Sequence, residues 1–241
     1  MFILANTLID GFIHSDSVGR GIVIIQTVSS IIMVCVMIGK FRALATISSA
    51  TRRFLRDFST GSDVLDYYLK RRPSVSAGIE GIYKDTCERL LKLLTPDVRS
   101  LLVGRQTDGD GAAALTAREI ELVRGTCEQA LDEEEIRVEH GMSVIATVVA
   151  LAPMLGLLGT VWGVLDAFAD MGTSGSMNLA SIAPSISSAL VTTVVGLLVA
   201  IPGVIAHAWL SSKVRSINSA MEGFADELTS RIACEFQGRG A

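Results

Sequence analysis

Two apolar stretches decide the fold of this 241-residue chain: LGLLGTVWGVLDAF at residues 155–168 and SIAPSISSALVTTVVGLLVAIPGV at residues 181–204. A single carboxylate is the only charged group in either stretch. The first stretch carries glycines three and four residues apart, at Gly156, Gly159 and Gly163, which places them on one face of a helix. Each stretch therefore predicts a long apolar helix, and the first predicts a helix with a face of small residues.

The charged residues leave three gaps in the chain, although its overall composition of 49% hydrophobic and 19% charged residues does not separate soluble from membrane proteins. No Asp, Glu, Lys or Arg occurs at residues 21–39, 140–165 or 171–212. A bilayer core of about 30 Å takes roughly 20 helical residues to cross. Soluble proteins rarely bury three uncharged helices of this length, so we expect transmembrane helices at about residues 20–39, 142–168 and 182–209.

The basic residues predict an orientation for these spans. Residues 40–140 contain sixteen Lys and Arg, residues 169–181 contain none, and the tail after residue 210 contains four. Basic loops stay on the cytoplasmic side of a membrane. We therefore expect the following order: a periplasmic segment 1–19, a cytoplasmic domain 40–141, a periplasmic loop 169–181 and a cytoplasmic helix 210–241.

The first nineteen residues do not read as a cleaved signal peptide, because they lack the Lys or Arg that would precede its apolar run. They alternate apolar and polar groups, which predicts a short interfacial helix.

The cytoplasmic domain is predicted to be helical. A helical stripe of apolar residues runs from Ile79 to Leu94, and residues 104–113 form a Gly- and Asp-rich loop. Thr116 and Glu119 have the spacing of a capping box. The helix they start is expected to continue into the second span, interrupted at most at Gly141. We thus expect an all-α integral membrane protein whose long helices extend into the cytoplasm.

The polar residues outside the spans give no catalytic or metal-binding pattern. The acidic run Asp132–Glu135 is interpreted as a solvated helix face, and the three His lie far apart. The four Cys have no CxxC spacing and are expected to be reduced thiols. We expect no metal, no cofactor, no nucleic-acid partner and no enzymatic activity.

The second and third spans nevertheless contain hydroxyl groups. Thr160 lies among the glycines of the second span, and the third span carries Ser185, Ser187, Ser188, Thr192 and Thr193. One interpretation is a helix pair that lines a narrow, partly hydrated path. The other is that each hydroxyl donates to a carbonyl of its own helix, as Ser and Thr often do in spans. The residues alone do not choose between the two.

Residues 150–210 resemble the MotA/TolQ/ExbB proton-channel family, and its TolQ/ExbB branch most. The resemblance rests on Gly-Thr-Val-Trp-Gly at 159–163 and Ala-Ile-Pro at 200–202. It implies a homopentamer in the bacterial inner membrane around a dimer of a single-span ExbD/TolR/MotB-like partner, whose Asp takes up and releases protons. It also implies that Thr160 and Thr193 hydrogen-bond to that carboxylate or to water leading to it.

One position departs from the branch. The branch usually has Glu four residues after the third-span proline, and here Pro184 is followed by Ser188. Either the partner's Asp alone carries the protons or another acid of this chain takes part. Asp166 is the candidate for that acid, because an ionisable group inside a membrane is costly and is therefore a functional candidate by default. The other interpretation places Asp166 at the headgroup level. The change also leaves sodium open as the coupling ion, since hydroxyls surround Ser188.

The predicted function is a stator subunit that converts the proton motive force into mechanical work. The expected ion pathway comprises Thr160, Thr193, Ser188, Thr192 and Asp166. The residues expected to pack helices or face the partner are Gly156, Gly159, Gly163, Pro184, Gly196 and Pro202. A structural scaffold that conducts no ions is the alternative.

Overall fold

A computed structural model describes residues 17–59, 64–65, 67–68, 77–93, 115–174 and 179–236. Most of the predicted interfacial helix, the whole predicted loop at 104–113 and the last five residues lie outside this part of the chain.

The described residues form five long helices. They are α1 (Ser17–Ser59), α2 (Ile79–Leu93), α3 (Ala117–Glu139), α4 (Met142–Ser174) and α5 (Leu179–Phe236). The prediction of an all-helical fold is confirmed for this part of the chain.

Three helical stretches of the chain are long and apolar enough to cross a membrane, and the second of them covers both α3 and α4. They lie within Ser17–Phe58, Ala117–Gly172 and Ile182–Phe236, and their most apolar windows have mean hydropathies of 2.4, 2.2 and 2.4. Only 17%, 22% and 28% of those windows are buried within the chain. Apolar faces this exposed need lipid or other chains to cover them. The three predicted spans each fall in one of these segments.

A break separates α3 from α4 where the sequence predicted it. Gly141 has a φ of 83°, which an L residue with a side chain rarely adopts. The N–H of His140 closes α3 by donating to the carbonyl of Ile136 at 2.9 Å. The two helices thus follow each other with a single interruption.

The chain divides into two compact units, each of which has its own core. We call residues 1–41 with 141–211 the apolar unit, and residues 42–140 with 212–241 the charged unit.

Aromatic rings form the centre of the charged unit. Tyr83 is fully buried among Phe54, Phe58 and Phe224, with ring centroids 5.3 to 6.4 Å apart. Its hydroxyl donates to the carbonyl of Val64 at 2.6 Å, so the buried oxygen is satisfied. Burial raises the pKa of this phenol above its ordinary value. This core accounts for part of the apolar stripe that the sequence showed from Ile79.

One prediction for the charged unit is wrong. The acidic run does not form a wholly solvated face, because Glu134 is only 5% exposed. Its carboxylate accepts a hydrogen bond of 2.8 Å from the N–H of Gly78 and pairs with Arg137. Gly78 has a φ of 66°, so the turn before α2 presents its N–H to a helix that lies 56 residues further along the chain. Sequence spacing carries no signal for such a contact.

Candidate functional site: a hydroxyl cluster between two spans

Helices α4 and α5 run antiparallel and meet along a line of small residues. A Cβ built on Gly156 would lie 2.9 Å from the Cα of Thr193, and one on Gly163 would lie 2.6 Å from the Cβ of Ala189. On the other helix, a Cβ on Gly196 would lie 2.5 Å from the carbonyl oxygen of Ala152. These approaches leave no space for a side chain. The glycines therefore let two backbones touch, which is how spans pack without a hydrophobic driving force.

Two threonines of α5 converge on one carbonyl of α4. Thr193 Oγ1 donates to the carbonyl oxygen of Gly156 at 2.7 Å. Thr192 Oγ1 lies 3.3 Å from the same oxygen and also donates to Ala189 of its own helix at 2.7 Å. Thr192 is buried and Thr193 is half-buried. We call Gly156, Thr192 and Thr193 the hydroxyl cluster.

The hydroxyl cluster depends on glycine at a neighbouring position as well. A Cβ on Gly159 would lie 2.8 Å from the Cβ of Thr192, which is closer than real Cβ atoms approach. Glycine at 156 and 159 thus admits both threonines to the interface. A sequence pattern of glycines and hydroxyls indicated the two helices, and the structure pairs their residues.

Thr160 behaves differently from Thr193. Its hydroxyl donates to the carbonyl of Leu157 in the same helix at 2.7 Å, and the residue is half-buried. The sequence left open whether the hydroxyls line a hydrated path or donate within their own helix. Thr160 follows the second interpretation, whereas Thr193 donates across to α4, which neither interpretation described.

The remaining predicted site residues lie at different levels along α4 and α5. Ser188 is 5% exposed and precedes Thr192 by one helical turn. In the register set by the pairings of Gly156 with Thr193 and of Gly163 with Ala189, Asp166 lies level with about residues 183–186 of α5. Asp166 is half-buried, and it lies ten residues, or about 15 Å along the helix axis, beyond Gly156. Pro184 and Pro202 lie inside α5 and are exposed.

The sequence reasoning missed a polar residue that α1 contributes. Gln26 is only 1% exposed, and its Nε2 donates to the carbonyl oxygen of Ala152 at 3.1 Å. A Cβ on Gly196 would lie 2.9 Å from this Nε2, so the absence of a side chain at Gly196 also makes room for the amide. The available signal was that Gln26 is the one side-chain amide in the charge-free gap 21–39.

The hydroxyl cluster forms hydrogen bonds and contains no titratable side chain. Among the described residues no group of three or more His, Cys, Asp or Glu could hold a metal ion. A threonine hydroxyl donates one hydrogen bond and keeps two lone pairs for incoming donors. The hydroxyl cluster can therefore hold water or a protonated carboxyl group, but it cannot store a proton itself.

The fold and the buried polar interface define a multi-pass helical membrane protein with a hydroxyl-lined contact between two spans. Residues 103–223 match the MotA/TolQ/ExbB proton channel family, and the chain belongs to that family. The expected membership is thus confirmed, and with it a multi-pass protein of the bacterial inner membrane.

Relatives from both named groups of the TolQ/ExbB branch are similar to the chain. The Tol-Pal system protein TolQ of Haemophilus influenzae is 29% identical over 226 residues, which are 92% of this chain and 91% of that protein. TolQ of Pseudomonas aeruginosa is 30% identical over 187 residues, 77% of this chain and 74% of that protein. The biopolymer transport protein ExbB of Xanthomonas campestris is 39% identical over 108 residues, so this match spans 43% of that protein. These names refer to the Tol-Pal system and to biopolymer transport and not to enzymatic activities.

Proposed function

We propose that this chain is the ion-conducting stator subunit of a complex that converts the proton motive force into mechanical work. The observation that carries the proposal is the part-buried hydrogen bond from Thr193 Oγ1 to the Gly156 carbonyl, between two spans of a proton-channel-family protein. Hydrocarbon offers a polar group no hydrogen bonds, so a hydroxyl inside a membrane bonds to its own helix, joins neighbouring helices or lines a pathway. Membership of a proton channel family favours the pathway.

The titratable group of this mechanism belongs to a partner. The partner is a dimer of a single-span protein of the ExbD/TolR/MotB kind, with an Asp in its span. The hydroxyls of Thr192 and Thr193 lower the cost of bringing that carboxyl group into the membrane. They accept from its protonated form and, once they release the carbonyls of Ala189 and Gly156, they donate to its ionised form. Each elementary charge that crosses 100 mV releases about 2.3 kcal/mol, enough to break one or two such hydrogen bonds.

The exposed apolar surface supports an assembly of several copies. Large side chains such as Leu157, Trp162 and Leu198 are exposed in the single chain. Neighbouring copies and lipid cover them in the proposed homopentamer, which encloses the partner dimer. The basic residues favour a cytoplasmic charged unit and C-terminus and a periplasmic N-terminus.

Serine at position 188 shapes the proposed coupling. The resemblance places a Glu there in most of the branch, so this chain's ring supplies hydroxyls and the partner supplies the carboxylate. Asp166 is a secondary candidate for the pathway. It lies near the level of Pro184, about 15 Å along α4 from Gly156 of the hydroxyl cluster. A pathway rich in hydroxyls also suits sodium, which is the alternative coupling ion.

The direct test compares threonine variants in the complex purified with its partner. We expect Thr193→Val to reduce proton flux into proteoliposomes under an imposed potential by roughly tenfold or more, since a pathway hydrogen bond is lost. Thr160→Val tests the second pathway threonine and is also expected to reduce flux. Thr147→Val is the matched control in α4, the helix of Thr160. Thr147 is exposed, and its hydroxyl donates to the carbonyl of Ser143 in the same helix at 2.8 Å. Wild-type flux in Thr193→Val and in Thr160→Val would contradict the pore assignment.

A non-conducting scaffold is the competing function. It is favoured by the serine at position 188, which removes a carboxylate from the ring. A scaffold would assemble with its partner, pass no protons or sodium, and keep its cellular function after a protonophore collapses the gradient. A partner whose span carries no acid would also favour the scaffold. Flux that requires sodium in the external buffer would instead identify a sodium-coupled stator.

A further inference from the structure

Helix α1 places one side-chain amide in the middle of the interface between the other two spans. Gln26 Nε2 donates to the carbonyl oxygen of Ala152 at 3.1 Å, one turn before Gly156 on α4. A Cβ on Gly156 would lie 3.5 Å from this Nε2 and 2.9 Å from the Cα of Thr193. The amide of Gln26 and the hydroxyl cluster are therefore close neighbours.

The carbonyl oxygen of this amide has no hydrogen-bond partner within the described part of the chain. Gln26 Oε1 is buried and accepts no hydrogen bond from it. The orientation of the amide is fixed, because only its NH₂ end can donate to the Ala152 carbonyl. Packing between helices explains the hydrogen bond that Nε2 donates, but it leaves the carbonyl oxygen without a donor. An unsatisfied buried acceptor is costly, and a methionine or leucine of similar size would avoid that cost.

We infer that Gln26 is a third-helix member of the ion pathway, whose Oε1 accepts a hydrogen bond from a water molecule shared with the hydroxyl cluster. A water molecule that bridges two groups spans roughly 5 to 6 Å and satisfies two to four polar partners. The partners here are Gln26 Oε1 and the lone pairs that Thr192 and Thr193 keep as acceptors. The water connects α1 to the path between α4 and α5.

This inference rests in part on the proposed function, and a hydration measurement separates the two. Water-edited solid-state NMR of the complete complex in lipid reports which side-chain carbons lie beside water. We expect the Gln26 side-chain carbonyl carbon, assigned by its loss in Gln26→Met, to receive magnetisation from water as fast as exposed Gln129 does. A signal that builds up as slowly as those of lipid-covered residues would overturn the inference, whether or not the complex conducts.

The flux measurement tests the role in the pathway. Gln26→Met keeps the length and apolar stem of the side chain and removes both amide groups. We expect it to assemble with its partner and to conduct roughly tenfold less than wild type, the effect of losing one hydrogen-bonded group. Thr27→Val is the matched control, because Thr27 is exposed and its hydroxyl donates to Val23 of its own helix at 2.8 Å.

A conservative variant covers the case in which Gln26→Met does not assemble. Gln26→Glu keeps an acceptor oxygen and, when protonated, a donor for the Ala152 carbonyl. It is expected to conduct in acidic buffer and to lose conduction as pH rises, whereas wild type keeps its own profile. Wild-type flux in Gln26→Met, or a wild-type pH profile in Gln26→Glu, overturns the pathway role. A wild-type complex without flux overturns the proposed function, and the NMR signal then decides the hydrated site alone.

Discussion

The absence of a Cβ at glycine positions controls how closely α4 and α5 approach each other. At Gly159 a methyl group would meet the Cβ of Thr192 at 2.8 Å, whereas Gly39 in α1 has no atom within 4 Å of the same position. Both glycines lie in apolar helices, yet only the first lies against a side chain of the neighbouring helix. Composition does not distinguish them, since the difference lies in what the neighbouring helix presents.

This contrast gives a prediction at the residue scale. Gly159→Ala is expected to destabilise the purified protein by about 1 to 3 kcal/mol, because an added methyl group in a packed interface forces the helices apart. The midpoint of its unfolding in detergent mixtures should fall. Gly39→Ala, the control, should stay within about 0.5 kcal/mol of wild type. Equal stability of the two variants would show that the α4–α5 contact does not depend on glycine at 159.

At the scale of the helix, local signals determined where α3 begins. Thr116 Oγ1 accepts from the N–H of Glu119 at 3.3 Å, and the Glu119 carboxylate accepts from the N–H of Thr116 at 2.8 Å. The capping box predicted from sequence is thus confirmed. The hydrogen bonds that this carboxylate accepts from the N–H of Thr116 and, at 2.7 Å, from the Thr116 hydroxyl lower the pKa of the Glu119 carboxyl group.

The capping box predicts an effect on the first turn of α3. Thr116→Ala should weaken the start of the helix by about 1 kcal/mol, which corresponds to roughly fivefold faster amide hydrogen exchange at Glu119 and Ile120. Thr126→Ala is the control, because Thr126 lies in the interior of α3, away from the cap, and its hydroxyl donates to the carbonyl of Leu122 in the same helix at 2.9 Å. Unchanged protection in Thr116→Ala would contradict a contribution from the cap.

The lowered pKa of Glu119 adds a dependence on pH. Its ionised form is the one that the folded cap prefers, so its stabilising effect is present above the ordinary pKa of 4.5 and is lost as pH falls through the depressed value. Protection factors of the first turn should therefore fall in acid in the wild type. In Glu119→Gln they should vary little with pH, and a parallel fall in that variant would assign the effect to another group.

At the scale of the whole molecule, orientation in the membrane is the property on which the proposed function depends. The charged unit offers a native probe, since Cys234 is exposed while Cys87 and Cys127 are buried. Burial raises the pKa of both buried thiols, which keeps them unreactive near neutral pH.

Thiol labelling then predicts which side of the membrane each end occupies. A membrane-impermeant maleimide should label Cys234 in inverted inner-membrane vesicles and not in intact spheroplasts. A thiol introduced by Gly172→Cys at the exposed end of α4 should show the opposite pattern in a Cys234→Ser background. Labelling of Cys234 from the periplasmic side would invert the proposed topology and place the charged unit outside the cytoplasm.

The sequence by itself determined the elements of this protein. Its charge-free gaps and helical periodicity predicted three apolar helices, and Thr116 and Gly141 marked boundaries that the structure confirms. Its two span motifs indicated the family. These features could be predicted because hydropathy, capping and a positive φ depend on residues that are near each other in the chain.

Tertiary structure decided which polar atoms meet. It brought Thr193 to the carbonyl of Gly156, 37 residues away, and turned Thr160 back to its own helix. It also buried Glu134 against Gly78, and it inserted Gln26 beside Ala152 across 126 residues. Hydrogen bonds between distant residues depend on the register and rotation of packed helices, which glycine contacts set at the level of single methyl groups. No local pattern in the chain encodes that register.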